Sequence, residues 1–165
     1  MVRIAISVLL LLAPVIAVAA DSRTDGDLVR IEQTELRTSI IGAVVLLKAQ
    51  GKAIPIFVDG VVAESIQGAL SGQKFPRPLS HDLMRSILEG FDGKVTRVVI
   101  ALKAQTYYAD LTVSIRGATK VFDSRSSDAI ALAIHFKAPM LVTRDTFEKA
   151  AKVLDETSKP EGTRL

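Results

Sequence analysis

The hydrophobic and polar positions along this chain repeat with two different periods, and each period predicts one kind of element. Alternation with a period of two is clearest in residues 107–116, where Ala109 and Leu111 fall on one face and polar residues on the other. This alternation predicts a strand with one covered face and one more polar face. Shorter apolar runs bounded by turn residues predict further strands, at residues 29–36, 40–48, 53–58, 94–103, 118–122 and 140–142.

Apolar residues at helical spacing predict about four helices between these strands. The segment 126–136 is so apolar that we expect its helix to be largely buried. The helix at 80–91 carries an apolar face of Leu83, Met84, Ile87, Leu88 and Phe91, which we expect to contact the core. The other two predicted helices are residues 61–71 and a final one that carries Phe147 through Leu154. This mixed order predicts a single α+β domain, with a mixed, largely antiparallel sheet of hairpins packed with the helices.

The N-terminus has the layout of a secretory signal peptide. Arg3 is followed by an uncharged apolar run from Ile4 to Val18, and small residues precede the polar segment that begins at Asp21. We expect cleavage after about residue 20 and export to the periplasm or the exterior, with no stable membrane association afterwards. The alternative is an uncleaved membrane anchor, but Pro14 interrupts the run, which is short for a span of about 20 residues.

Composition limits the function classes for the remaining chain. We expect a polar lead-in at 21–27, a domain at 28–156 and a frayed tail at 157–165. The chain has no cysteine, which excludes disulfides and thiolate zinc sites. Its formal net charge is +3, and the basic residues are scattered, so anionic partners are only weakly indicated. An aromatic content of 5% argues against a broad base-stacking surface.

Two segments carry residue types suited to phosphodiester chemistry. Each joins an arginine in a loop, Arg77 or Arg125, to a helix start of the form Ser-x-Asp. An arginine fork binds phosphate at two points, and carboxylates such as Asp82 and Asp128 are ligands for a divalent cation. A histidine such as His81 transfers protons. Together these types predict a site that hydrolyses nucleic acid.

Helix capping explains the same pattern without chemistry. Thr143 and Asp145 open the last helix with the same hydroxyl and acid spacing, and no catalytic residue is expected there. In this interpretation Ser80 and Ser126 are hydroxyl N-caps, and the acids two residues later only complement the helix dipole. His135, near the end of its helix, is likewise expected to have a structural role.

The motifs also resemble a known family. The stretches IPIFVDGVVAESI (54–66), RPLSHDLM (77–84), YYADLTV (107–113) and SRSSDAIALAI (124–134) are similar to the bifunctional nuclease family, small domains that cleave DNA and RNA. The resemblance covers residues 28–155. Ser126 stands where the family pattern has proline. The residues that the resemblance implies for the site are Arg77, His81, Asp82, Arg125, Ser127 and Asp128, with Glu64 as a further acid.

Two hypotheses follow for the function. The first is an exported nuclease of DNA or RNA, assisted by a divalent cation such as Mg²⁺ or Mn²⁺. The alternative is a non-catalytic periplasmic module that binds a ligand or forms a homo-oligomer. A nuclease site requires the two motifs to converge on one cleft. In the first hypothesis the catalytic residues are His81, Asp82 and Asp128, the substrate-binding residues are Arg77, Arg125 and Ser127, and the metal ligands are Asp82, Asp128 and Glu64.

Overall fold

The computed structural model describes residues 25–40 and 42–153. The predicted signal peptide at 1–20, the start of the lead-in, Leu154 and the predicted tail at 157–165 lie outside the described residues. Within the described ranges, no helix is both long enough and apolar enough to cross a membrane.

Strands and α-helices follow one another in mixed order, which confirms the α+β class. The strands are β1 (Leu28–Arg30), β2 (Gln33–Ser39), β3 (Gly42–Ala49), β4 (Lys52–Val58), β5 (Gly93–Lys103), β6 (Thr106–Ile115), β7 (Ala118–Arg125), β8 (Met140–Thr143) and β9 (Lys152–Val153). The helices are a 3₁₀ turn (Asp25–Asp27), α1 (Gly60–Ser71), α2 (Ser80–Gly90), α3 (Ser126–Phe136) and α4 (Arg144–Ala150). The last helix is shorter than expected, because the chain leaves it to pair β9 with β4.

The strands form two sheets, whereas the sequence pattern suggested one. One sheet has the order β1-β8-β5-β6-β7, in which only β5 and β8 are parallel, and the other is antiparallel with the order β2-β3-β4-β9. The predicted strand 29–36 is divided between them. The Ile31 N–H donates to the Met140 carbonyl at 2.9 Å, and the Glu32 N–H donates to the Lys48 carbonyl at 2.9 Å. The chain therefore crosses from one sheet to the other between these two residues.

Two-residue turns close the hairpins. Gln50 and Gly51 have φ angles of 51° and 71°, and Arg116 and Gly117 have φ angles of 49° and 84°. Two successive positive φ angles define the turn that matches strand twist, and glycine adopts them without steric cost. The predicted turn at Gln50 and Gly51 is confirmed.

Helix α3 lies at the centre of the fold. Its residues from Ala129 to Ala133 are all buried, which confirms the expectation from its apolar sequence. It packs against β5 and β6 on one side and against α1 and α2 on the other. This packing brings residues of α1 and α2 into contact with residues of α3.

Most of the apolar face of α2 is exposed, so the expectation that this face contacts the core holds for Leu88 and is wrong for its other residues. Leu88 is half-buried, and His81 is the buried residue of this helix. An amphipathic pattern identifies a face but not what lies opposite it, and here a polar residue makes the buried contact. The exposed residues are Leu83, Met84, Ile87 and Phe91.

Of the three predicted hydroxyl N-caps, one is confirmed. Thr143 accepts a hydrogen bond from a backbone N–H of α4, as predicted. Ser80 and Ser126 are instead the first residues of their helices, and Leu79 and Arg125 occupy the N-cap positions without side-chain caps. The acids in the first turns of α2 and α3 differ: Asp82 accepts the backbone N–H of the N-cap residue Leu79, whereas Asp128 contacts the side chains of Arg125 and His81.

Candidate active site

His81 is the buried polar residue around which the site is built. It lies in the first turn of α2 and is 3% exposed. Its Nε2 atom lies 3.2 Å from Asp128 Oδ1, and its Nδ1 atom lies 3.1 Å from Ser65 Oγ. Both ring nitrogens thus have a polar partner, as a buried imidazole requires. These contacts join α2 to α1 through Ser65 and to α3 through Asp128.

Asp128, in the first turn of α3, connects His81 to an arginine. Arg125 Nε donates to Asp128 Oδ2 at 2.6 Å, and Arg125 Nη2 donates to Oδ1 at 3.0 Å. Burial acts to raise the pKa of Asp128, but the hydrogen bonds from Arg125 and His81 outweigh it and lower the pKa below the ordinary value of 3.8. Asp128 is therefore an ionised acceptor at neutral pH.

Arg125 presents an oriented guanidinium at the junction of β7 and α3. Its side chain is 69% exposed, and its Nη1 atom lies 3.9 Å from Asp59 Oδ2. Asp59 is itself fixed, because it accepts the Val62 N–H at 2.9 Å as the N-cap of α1. The hydrogen bond with Asp128 raises the pKa of Arg125 above its ordinary value. The guanidinium of Arg125 is therefore permanently charged, and its Nη1 group is accessible to an anion.

A cleft of about 740 Å³ lies beside these residues. The starts of α1, α2 and α3 form its walls, so both sequence motifs contribute to one site. The geometric condition for a single site is met for His81, Arg125 and Asp128. The polar residues that line the cleft are Asp59, Glu64, Ser80, His81, Arg125 and Asp128.

A second cavity of about 810 Å³ shares the wall formed by Asp59 and Glu64. The ring of Phe75 closes one side of this cavity and packs on α1 at Gly68, where a Cβ atom would lie 2.7 Å from the ring. Among the described residues, neither lysine nor arginine lines this cavity, whereas Arg125 lines the cleft. The other polar side chains on its walls are Thr38, Gln67 and Gln73.

Asp82 is not on the wall of the cleft, although it follows His81 in sequence. Its Oδ2 atom accepts the Leu79 N–H at 3.0 Å, and its Oδ1 atom lies 3.9 Å from His135 Nδ1. The structure therefore separates Asp82 from the cleft that holds Asp128. A catalytic role for Asp82 stays a prediction that the geometry does not support.

The remaining predicted residues differ in position. Glu64 is exposed and lies on the wall between the two cavities. Ser127 is half-buried and Arg77 is exposed in the loop between α1 and α2, and neither lines the cleft. Among the predicted phosphate-binding residues, Arg125 is therefore the one with a defined position in the site.

Ser65, His135 and Asp59 belong to the site but were not among the predicted site residues. His135 Nε2 lies 3.3 Å from Ser65 Oγ, and the His135 side chain is 4% exposed. Burial lowers the pKa of His135, against the opposing effect of the Asp82 carboxylate. A sequence signal did exist for Asp59, because an acid before a glycine and an apolar helix is a typical N-cap. For Ser65 the signal was weaker: it is a hydroxyl on the buried side of α1.

The carboxylates do not form a metal site as they stand. Among residues 25–40 and 42–153, no three His, Asp or Glu residues are arranged to hold a metal ion. Both oxygens of Asp128 already contact cationic or N–H donors, and both oxygens of Asp82 face Leu79 and His135. Of the predicted ligands, Glu64 and Asp128 line the cleft, and Asp59 is a further acid on its wall. The predicted ligand set of Asp82, Asp128 and Glu64 is therefore not assembled in this conformation.

Comparisons with known proteins agree with the motifs. The model of the bifunctional nuclease domain matches residues 44–155, and the chain therefore belongs to this family. Membership places it in a nuclease-type family whose substrates are nucleic acids. Similar relatives are Uncharacterized protein MT1877 and Uncharacterized protein Rv1829, from two strains of Mycobacterium tuberculosis. Each is 28% identical over 143 residues, which is 82% of this chain and 79% of the relative.

Proposed function

We propose that this protein is an exported nuclease that hydrolyses phosphodiester bonds of DNA or RNA in the cleft between α1, α2 and α3. The observation that carries the proposal is the Arg125–Asp128–His81 unit. This unit places the charged guanidinium of Arg125 and the buried imidazole of His81 on one cleft wall. The ionised carboxylate of Asp128 contacts both groups. Family membership supports the reaction class.

Arg125 binds the phosphate in this proposal. Asp128 occupies Nε and one position on Nη2, which fixes the plane of the guanidinium and leaves Nη1 for a phosphate oxygen. A pre-oriented cation stabilises the negative charge on the phosphoryl oxygens in the transition state. Asp59 Oδ2 lies 3.9 Å from Arg125 Nη1, so a phosphate oxygen that binds at Nη1 competes with this carboxylate.

Glu64 is the proposed acceptor of the proton that hydrolysis releases. Hydrolysis requires one group to remove a proton from the attacking oxygen and another to protonate the leaving oxygen. Glu64 is an exposed carboxylate on the cleft wall and is suited to accept a proton. Both ring nitrogens of His81 are engaged, Nε2 by Asp128 and Nδ1 by Ser65, so His81 holds Asp128 in place and the leaving oxygen takes its proton from water in the cleft.

The second cavity supports a substrate with an unstacked base. It adjoins the cleft at Asp59 and Glu64, contains the Phe75 ring, and offers amide groups that match the hydrogen-bonding edge of a base. The absence of arginine and lysine from its lining makes it unsuitable for a phosphate. A strand that enters both cavities thus has its phosphate at Arg125 and its base near Phe75.

Divalent-metal assistance, by Mg²⁺ or Mn²⁺, stays a prediction. The acids on the cleft wall are Asp59, Glu64 and Asp128, and the described residues do not hold three such groups in a metal-binding arrangement. We therefore assign no step to a metal ion, and Arg125 supplies the positive charge in the proposed mechanism.

Export is the second part of the proposal and depends on residues 1–20. Arg3, the apolar run and the small residues before Asp21 support a cleaved signal. Cell fractionation and N-terminal sequencing of the mature chain test it. A cytosolic protein that retains Met1 would contradict it.

The decisive assay measures degradation of plasmid DNA and single-stranded RNA by the mature chain, with Asp128→Asn and Arg125→Gln as test variants. Asp145→Asn and Arg144→Gln are matched controls, because they alter the same residue types at the start of α4. We expect each test variant to lose at least about 10²-fold in rate. Equal activity in test and control variants would show that the cleft is not the active site. A parallel series with EDTA, followed by added Mg²⁺ or Mn²⁺, tests the metal.

One observation favours the alternative of an oligomeric, non-catalytic module. The apolar face of α2 is exposed, and its residue Met84 also lines the cleft. A second copy of the chain seated on this face would bury apolar surface and lie next to the cleft. Light scattering coupled to gel filtration distinguishes a monomer from a dimer. A dimer without nuclease activity would favour the alternative.

A further inference from the structure

A continuous set of polar contacts runs behind the cleft through three helices. It connects Asp128 on α3 to His81 on α2, then to Ser65 on α1, and returns to His135 on α3. Ser65 is 2% exposed and His81 is 3% exposed, so water does not compete for the contact between these two residues. Every proton on these two residues therefore needs an acceptor within the set.

The proton positions can be worked out from the His135 end. His135 Nδ1 lies 3.9 Å from Asp82 Oδ1, which is beyond hydrogen-bonding distance. Its Nε2 atom lies 3.3 Å from Ser65 Oγ. A neutral imidazole carries one N–H, and the buried N–H belongs where an acceptor exists. His135 therefore donates from Nε2 to the Ser65 oxygen.

This hydrogen bond determines which atom donates in the contact between Ser65 and His81. Ser65 has one hydroxyl proton, and since its oxygen accepts from His135, that proton is available to His81 Nδ1 at 3.1 Å. His81 Nδ1 is then an acceptor without a proton. Asp128 can only accept, because it is ionised, so the His81 proton lies on Nε2 and points at Asp128. Each contact in the set has one donor and one acceptor.

We propose that Ser65 and His135 are positioning residues that hold His81 as its Nε2–H tautomer, so that His81 donates a hydrogen bond to Asp128 and fixes this carboxylate against Arg125. In this tautomer the lone pair on Nδ1 is directed at Ser65, inside the protein, and is not available as a base. The acceptor of a substrate proton is then another group. The catalytic consequence rests on the proposed nuclease function, whereas the tautomer does not.

The tautomer is measured directly by ¹⁵N NMR of the histidine side chains in the wild-type chain, because protonated and bare ring nitrogens differ in chemical shift. We expect both histidines to be protonated at Nε2 and bare at Nδ1 at neutral pH. Ser65→Ala should shift the Nδ1 resonance of His81, and His135→Leu should shift it through Ser65. A His81 protonated at Nδ1, or a His81 spectrum unchanged by Ser65→Ala, would overturn the proposal.

Kinetics provide the second readout. Ser65 does not line the cleft, so Ser65→Ala should lower kcat by about 10- to 100-fold, the range for residues that orient a functional group, with little change in KM. Ser65→Thr keeps the hydroxyl and should retain most of the activity. Ser71→Ala is the control, since Ser71 lies on the same helix and its hydroxyl contacts only local backbone. Loss in Ser71→Ala equal to that in Ser65→Ala would refute a specific role.

The two proposals fail in different ways. An Nε2–H tautomer in a chain that degrades neither DNA nor RNA would refute the nuclease function and leave the positioning of His81 intact. Nuclease activity in a chain whose His81 is protonated at Nδ1 would refute the positioning and leave the function intact.

Discussion

Replacing Asp128 with Asn tests the central carboxylate by changing its charge and almost none of its shape. The carboxylate accepts from Arg125 through both oxygens and faces His81 Nε2 through one of them. An amide has a single acceptor oxygen, so in either orientation its NH₂ group points at an N–H of Arg125. At least one of these hydrogen bonds is therefore replaced by a contact between two donors.

The expected loss of stability follows from the exposure of each partner. The bond to buried His81 contributes about 1.5 kcal/mol, the lower end of the range for hydrogen bonds that involve a charged group, because the Asp128 side chain is 24% exposed. The bond to Arg125 counts at the surface value of about 0.2–1 kcal/mol, because the Arg125 side chain is 69% exposed. Together they predict a loss of about 2 kcal/mol in the free energy of unfolding, and a fall in Tm of about 4–8 °C.

Urea denaturation and thermal scanning measure this loss, with Asp145→Asn as the control. Asp145 pairs with Lys149 across one helical turn at 2.7 Å, and both side chains are more than half exposed. Its loss should cost no more than about 0.5 kcal/mol. Equal stability of Asp128→Asn and the wild type, or equal losses in both variants, would refute the assignment of Asp128 to a buried network.

Acidification gives the same prediction an internal check. The folded-state pKa of Asp128 lies below its ordinary value of 3.8, so its stabilising effect is complete above pH 3.8 and is lost as the pH falls through the folded pKa. The difference in stability between wild type and Asp128→Asn should therefore narrow in that acidic window. A constant difference across the window would show that the carboxylate charge is not responsible.

Three further predictions concern other parts of the molecule. The folded-state pKa of His135 lies below its ordinary value of 6.5, so the unfolded chain binds a proton at a higher pH than the folded chain does. The free energy of unfolding should therefore decline as the pH falls below 6.5. His135→Leu should remove this decline, as measured by urea midpoints across that pH range. Phe75→Ala should raise KM for short single-stranded substrates at least about fivefold if a base stacks there, whereas Phe57→Ala, which alters an exposed ring on β4, should leave KM unchanged. Ile87→Asp should convert any dimer formed through α2 to a monomer in light scattering, and a dimer that persists would place the interface elsewhere.

The elements defined by short-range signals could be predicted from the sequence. The turn at Gln50 and Gly51 and the buried helix α3 depend on residues a few positions apart, and both are present. The division of residues 29–36 between two sheets was not predicted. It depends on the hydrogen bonds of Ile31 and Glu32. Their partners, Met140 and Lys48, lie in distant parts of the chain.

In the candidate site, too, the residues that belong to local sequence motifs could be predicted. The motifs identified His81, Arg125 and Asp128, because a helix start with an arginine, a serine and an acid has a recognisable spacing. Ser65 and His135 were not identified, since their contacts join separate helices and no local pattern records such a contact. The exposure of the apolar face of α2 had the same cause, because periodicity does not reveal what packs against a face.

The order in which the site residues occur along the chain has a consequence for synthesis and secretion. Ser65 and His81 precede Asp128 and His135 by most of a sheet, because β5, β6 and β7 lie between the two pairs. A nascent chain that has emerged only as far as Phe91 contains the imidazole of His81 but neither the carboxylate of Asp128 nor the imidazole of His135. The cleft is therefore complete only after folding has included Asp128, and in the proposed exported nuclease an unfolded precursor would carry no assembled site with which to attack nucleic acid on the side where it was made.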